Sequence, residues 1–589
     1  MTLIRVLISV NVIFLAIYSI GRIGSKITEK NRYKPEKIYE FLVGSGILIL
    51  LYTTGISITN NHNLSSMITF STLTIISIST FFYRMRKTTL TILKNTSWFF
   101  VAFNLPVITS YISGKFEYRL RTQGNNDIYD LQIITKVFSS ETHDYVNSYS
   151  GWQVYSDWLA PFLTRLNSII QDVLPFNGFI SLEIFYYLGL NILALSIFNF
   201  FSVQNITHKV SLLLTGTFFL LNSLQYIISQ LFLPQIFGLI VLVQLFTHFV
   251  KKDQLFSLYR IFILLTIMFF TYPTFIPIAI ILIFTKILKR DNEKTIKLEI
   301  RFTRNQIMGF FVLVVYMYFY ARTSITGTLQ FLFEKSLGDY GWSRNFFGYV
   351  FPDAIFILLI SLINLFYYPK NRFKNLKIRN FRTDFVFPVL LIFFQIYIIY
   401  ETSLNSYQSW KFFSNLVPLM FLYYMNQILI NTVNSTHHVK KKQFSSGKIM
   451  NITMLIVTLS FANSIIRDEY PLEGYTPSTT INFKEVENLS QNKLFKNKIL
   501  AIASESVSET MLLGAVVPAK KVYFIGPSYY SDSFPKKDFY FDYLLLSREF
   551  ADRGCLGNQI DGQSFYILAK NQISSECDTY LHSLTYPRN

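Results

Sequence analysis

Apolar runs of helical-span length recur down the chain and leave little freedom in what it can fold into. They cover 3–20, 39–57, 67–83, 97–113, 179–200, 210–228, 234–250, 259–272, 275–288, 306–321, 351–368, 384–400, 411–430 and 450–466, about fourteen in all. Some 20 apolar residues in a helix match the hydrocarbon thickness of a bilayer. Hydrocarbon offers no hydrogen bonds, so the backbone must satisfy its own, and helices do so within one segment. Charged residues make up 15% of the chain and hydrophobic ones 51%, against about 25% charged in soluble domains. The expected fold class is a polytopic α-helical membrane protein with a small C-terminal extracytoplasmic α/β domain. The first run, Leu3 to Ile20, has only Arg5 as a basic flank and no small-residue cleavage site. It reads as a retained helix rather than a signal peptide.

The net charge of +19 would suggest nucleic acid in a soluble protein. Here the basic residues fall in short links between apolar runs, so no nucleic acid is expected. These links are Arg22 to Lys37, Arg84 to Lys87, Lys251-Lys252, Lys289 to Arg304, Lys370 to Arg382 and Lys440 to Lys448. Taking basic links as cytoplasmic leaves 58–66, 114–178, 322–350, 401–410 and everything after 467 outside the plasma membrane. Pro234, and Pro273 with Pro277, mark tight outer turns or broken helices, and the 210–250 pair is open to a shorter or re-entrant path. The chain divides into N-terminal helices (1–96), a membrane core (97–466) and an outer domain (467–589).

From Asp468 no span-length run remains. Asn497 to Ser504, Lys521 to Ile525, Tyr543 to Ser547 and Ser564 to Ala569 read as strands, and Ser506 to Val516 as a helix. Strands alternating with helices predict a small α/β domain. The only cysteines, Cys555 and Cys577, lie here. Placed outside, they are expected to form a disulfide.

The 114–178 segment is too long for a turn, and long loops in compact regions carry function. Asp127 and Asp130 follow a span directly, at the head of a helix expected over Ile128 to Phe138, and their three-residue spacing puts both on one face if the stretch is helical. They suit a general base or a divalent cation; with Asn125 and Asn126 they also suit plain N-capping. His143, beside Asp144, is either a substrate contact or an ordinary loop histidine. Gly151-Trp152 leads into an amphipathic stretch, Val154 to Ile170. That stretch is expected to lie in the membrane interface, with Trp152 and Trp158 as belt residues. In the other outer loops Arg344, Glu401 and Lys411 stand near span ends. Arg344 and Lys411 suit a lipid phosphate or simple snorkelling.

The arrangement resembles the GT-C superfamily of polytopic glycosyltransferases, which use polyprenyl-phosphate-linked sugars. Asp127 and Asp130 match the place of that superfamily's acidic outer-loop motif. Gly151-Trp152 and the Tyr272-Pro273-Thr274 turn are similar to positions in prokaryotic members. The resemblance covers roughly 97–430, with three extra helices before the core. It implies transfer from a polyprenyl-phosphate-sugar donor to a glycan, lipid or protein acceptor, with Asp127 or Asp130 as base. Arg344 and Lys411 would hold the departing phosphate, and His143, Trp152 and Glu401 would contact substrate. A polysaccharide polymerase or ligase shares this topology but would lean on outer-loop arginines. A transporter of lipid-linked glycans would need polar groups at mid-membrane. Asn191, Asn222, Gln225, Gln244 and Gln395 are neutral.

Overall fold

The computed structural model describes residues 2–29, 36–59, parts of 64–79, 90–112, 161–173, 178–204, 206–229, 232–250, 256–288, 298–299, 303–320, isolated positions at 325 and 418–425, 483–525 with short gaps, 540–548, 555 and 565–584. These residues are mostly helical, and three helices are long and apolar enough to cross a membrane: Leu3–Thr28, Lys37–Thr59 and Ile180–Ser202. The expected spans at 351–368, 384–400 and 450–466, most of 411–430 and about half of 67–83 lie outside the described residues.

Helix α1, Thr2–Glu29, runs well past the expected end at residue 20. Gly21 and Gly24 do not stop it, although glycine costs a helix interior about 1 kcal/mol. They serve packing. A Cβ at Gly21 would collide with the Glu40 carbonyl of α2, Lys37–Thr59, and one at Gly44 with the Ile17 carbonyl. In a membrane, small residues hold helices together by letting backbones approach closely.

Next come α3, Leu90–Ile112, with Pro106 inside it, then α4, Pro161–Val173, and α5, Gly178–Ser202. The most apolar window of α5 is 94% buried, which makes α5 the central helix; α1, α3, α4 and later helices pack around it. The 210–228 run is not one span. It breaks at Leu220 and Leu221 into α6, His208–Phe219, and α7, Asn222–Ser229. Helix α8, Leu233–Val250, follows, then α9, Leu258–Thr271, and α10, Ile276–Leu288. A single 3-10 turn at Pro273–Phe275 joins α9 to α10, so the prolines mark a tight turn. Helix α11 is Arg304–Tyr320.

Two sets of contacts define the two ends of this bundle. At one end Asn305 Nδ2 of α11 donates to the Ile27 carbonyl at 2.7 Å, and Thr303 Oγ1 donates to the Thr28 carbonyl at 3.3 Å. A two-residue strand β1, Phe256–Ser257, pairs in parallel with β2, Leu298–Glu299. There too, Lys37 Nζ lies 3.2 Å from the Phe99 ring centroid. The ends of α1 at Glu29, of α2 at Lys37 and of α11 at Arg304 meet here. At the other end Tyr52 meets Asp172, Tyr186 meets Ile228, and Gln235 meets Tyr272. Exposed apolar stripes run along the outside: Ile4, Ile8, Val12 and Leu15 on α1, and Ile307, Phe310, Phe311 and Val314 on α11. Stripes at helical spacing, too large for a soluble surface, are what lipid covers.

The C-terminal residues fold as α12, Phe483–Gln491, β3, Ile499–Ala503, α13, Val507–Val516, β4, Lys521–Ile525, β5, Tyr543–Ser547, β6, Phe565–Ala569, and α14, Ser575–Leu584. The sheet order is β4-β3-β5-β6, with β3 parallel to β4 and β5, and β5 antiparallel to β6. All four expected strands are present. Cys555 is bridged to Cys577 on α14, with Cα atoms 4.7 Å apart. Helices α12 and α13 pack against α5, which joins the sheet to the bundle.

Candidate functional site

Asp127, Asp130, His143, Trp152, Arg344, Glu401 and Lys411 all lie outside the described residues, as do Trp158 and the Ile128–Phe138 stretch. The described part of the 114–178 segment is α4, and it departs from expectation. An interfacial helix keeps its polar face in water. In α4 the apolar side, Leu163, Leu166, Ile169 and Ile170, is buried, and so are Thr164, Asn167 and Ser168 on its polar side. The helix is enclosed by α2, α5 and α9. The amphipathic pattern is readable in sequence; its polar face is buried because other helices enclose it, with Tyr52 of α2 meeting Ser168.

Tyr52 is itself fully buried. Its hydroxyl donates to Asp172 Oδ2 at 3.0 Å and sits 3.1 Å from Ser168 Oγ. Asp172 is at the exposed end of α4 and Arg165 is half-buried two turns earlier. A seven-residue spacing places the guanidinium and carboxylate on one helical face. An ionised carboxylate only accepts hydrogen bonds, whereas guanidinium forks match phosphate. The two positions stand about 10 Å apart along the helix, seven residues at 1.5 Å each, so they offer a phosphate ligand and a proton acceptor at separate points of one face. Sequence inspection passed over both residues because neither stands out from an amphipathic pattern.

The Tyr272-Pro273-Thr274 turn is at the same end of the bundle. Gln235 Nε2, on α8, donates to Tyr272 Oη at 2.9 Å. Gln235 is fully buried, and its Oε1 has no hydrogen-bond partner among the described residues; neither does the buried hydroxyl of Thr274. Close by, Gly238 is pressed against Tyr272 and Phe275, so a side chain there would meet the Tyr272 Cβ and the Phe275 ring. Buried polar atoms are nearly always paired, which makes these two atoms exceptions beside the turn.

No family model, curated protein or solved structure matches the chain. Function must be argued from the geometry.

The opposite end of the bundle carries an ionic cluster the sequence did not suggest. Glu36 accepts from Arg260 Nη1 at 3.2 Å and also from the Gln244 amide. Arg260 lies 4.7 Å from the centroid of the Tyr39 ring. These four residues, with His248, are buried. The pair joins residues 224 positions apart, and no local pattern announces it. Among the described residues no three His, Cys, Asp or Glu side chains gather as metal ligands.

Proposed function

We propose that the protein is a polytopic membrane glycosyltransferase that takes a sugar from a polyprenyl-phosphate donor at the outer face of the plasma membrane. The observation that carries this reading is α4. The 114–178 segment contains a largely buried helix that carries half-buried Arg165 and, at its exposed end, Asp172. A lipid-borne phosphate sugar needs such a place: polyprenyl chain in lipid, headgroup at a charged, partly enclosed ledge. Asp127 or Asp130 acts as general base on the acceptor hydroxyl, and inversion by direct displacement is the simplest course. Arg344 and Lys411 join Arg165 in stabilising the phosphate as its charge grows in the transition state.

About fourteen spans and an outer C-terminal domain belong to the same reading. Its supports are the meeting of the α1, α2 and α11 ends that flank two of the basic links and the bridge between Cys555 and Cys577, since disulfides persist in oxidising compartments.

The test is reconstitution in liposomes with a panel of radiolabelled undecaprenyl-phosphate hexoses and pentoses, following release of the polyprenyl phosphate. Asp127→Asn or Asp130→Asn is expected to slow release on the order of 10²–10⁴-fold, as loss of a general base does. Wild-type rates in both variants would remove this loop from the chemistry. Arg165 also favours a second reading, a polysaccharide polymerase or ligase working through outer-loop arginines. Joining of lipid-linked oligosaccharides without consumption of any monosaccharide donor would select it.

A further inference from the structure

The carboxyl edge of the C-terminal sheet carries a polar cluster that the transfer chemistry does not use. The chain leaves β3, crosses through α13 to β4 on one side, and later places β5 on the other side of β3. The connections therefore diverge outside the ends of β3 and β5. In open α/β sheets that switch point is where a crevice forms and ligands bind.

Period-two alternation decides which residues face it. Leu500, Ile502, Leu545 and Phe565 share a core with Val486 and Leu489 of α12 and Leu512 and Leu513 of α13. Ala501, Ala503, Leu544 and Leu546 face the other way, with Cys555 and Cys577. Ser504 and Ser547 come next in the first series, so both fall on the α12–α13 side. The register Ala503↔Leu546 makes them neighbours.

Ser547 is only 5% exposed, and its hydroxyl has no hydrogen-bond partner among the described residues. It pairs with Phe565, whose N–H donates to Glu485 Oε1 of α12 at 2.9 Å. Helix α13 begins three residues after Ser504, so its first-turn N–H groups open over the same edge. One small region therefore holds an unpaired hydroxyl, a carboxylate and helix N-terminal donors.

The helix N-terminus alone would favour an anion, but Glu485 opposes one. A neutral pair of adjacent hydroxyls satisfies all three groups: one donates to Glu485, and the other accepts from the helix and bonds Ser547. We propose that this edge binds a neutral glycan through a vicinal diol. With α12 and α13 packed on α5, a glycan held there is fastened to the membrane bundle. Its role as the acceptor rests on the transferase reading; the binding itself does not.

The experiment uses the full chain in lipid nanodiscs. Saturation-transfer NMR and titration would be run with neutral gluco-, galacto- and manno-configured disaccharides and with their 6-phosphates. At least one neutral disaccharide is expected to bind. Ser547→Ala and Glu485→Gln should each weaken it by about tenfold or more, the cost of one hydrogen bond to a charged or buried partner. Ser547→Ala removes a hydroxyl with no protein partner, so the apo protein should keep its disulfide and its melting behaviour. Glu485→Gln keeps the acceptor for the Phe565 N–H, so the fold should survive there too. The proposal fails if no neutral saccharide binds or if neither variant changes affinity. It fails equally if the 6-phosphates bind more tightly and Glu485→Gln strengthens them, which would make the edge an anion site. Asp127→Asn separates the two readings, because it should abolish transfer and leave this binding intact. Binding by a wild-type protein that transfers nothing would overturn the transferase reading alone.

Discussion

Neutralising Glu36 should unfasten one end of the bundle. The carboxylate lies 3.2 Å from Arg260, and the two side chains are 2–3% exposed. At an effective dielectric of about 20, unit charges at that separation attract by about 5 kcal/mol. Desolvation of both ions offsets much of this, so the intact pair adds little net stability. Removing one partner is different, because it strands a buried charge and typically costs about 3–5 kcal/mol. In Glu36→Gln the stranded Arg260 keeps the Tyr39 ring at 4.7 Å, and a cation–π contact is worth about 0.5–2 kcal/mol. The expected loss is therefore near the lower figure, about 3 kcal/mol. The double variant Glu36→Leu/Arg260→Met removes both charges and should recover most of that loss. Unfolding in mixed micelles, followed by tryptophan fluorescence for wild type, Glu36→Leu, Arg260→Met and the double variant, gives the coupling energy. A Glu36→Gln protein within about 1 kcal/mol of wild type, or a double variant as unstable as the single ones, would refute the claim that the two buried charges are strongly coupled.

Three further outcomes are expected. Gly44→Val should abolish a monodisperse protein on size exclusion, because the Ile17 carbonyl occupies the space a side chain needs; Gly46→Ala, with nothing within 4 Å of its Cβ, should behave as wild type. Cys577→Ser should cost about 3 kcal/mol by chain entropy for a separation of 22 residues, a model-dependent figure; mass spectrometry of non-reduced protein checks the bridge, and two free thiols would count against it. Tyr52→Phe removes the donor to Asp172 and should destabilise by about 1–3 kcal/mol. If the α4 ledge binds the donor phosphate, the same variant should also raise KM for the lipid-linked sugar.

The apolar runs determined most of the helices before any coordinates. The runs at 39–57, 179–200 and 234–250 became Lys37–Thr59, Gly178–Ser202 and Leu233–Val250, because in hydrocarbon a helix must close its own backbone hydrogen bonds. The strands around Ile499, Lys521, Tyr543 and Phe565 were equally legible, since short apolar runs between polar turns have few other folds. Local pattern carries this much because the forces behind it act within one segment. It could not show that α1 continues through Gly21 and Gly24, since only the arrival of α2 turns those glycines from breakers into contacts. Nor could it show that α4 is enclosed on both faces. The burial of its polar side depends on the helices that enclose it, among them α2 with Tyr52, more than a hundred residues away in the chain. The Glu36–Arg260 pair and the unpaired Ser547 hydroxyl are decided in the same way. Burial and pairing of polar groups depend on which distant segments meet, and tertiary packing alone sets that.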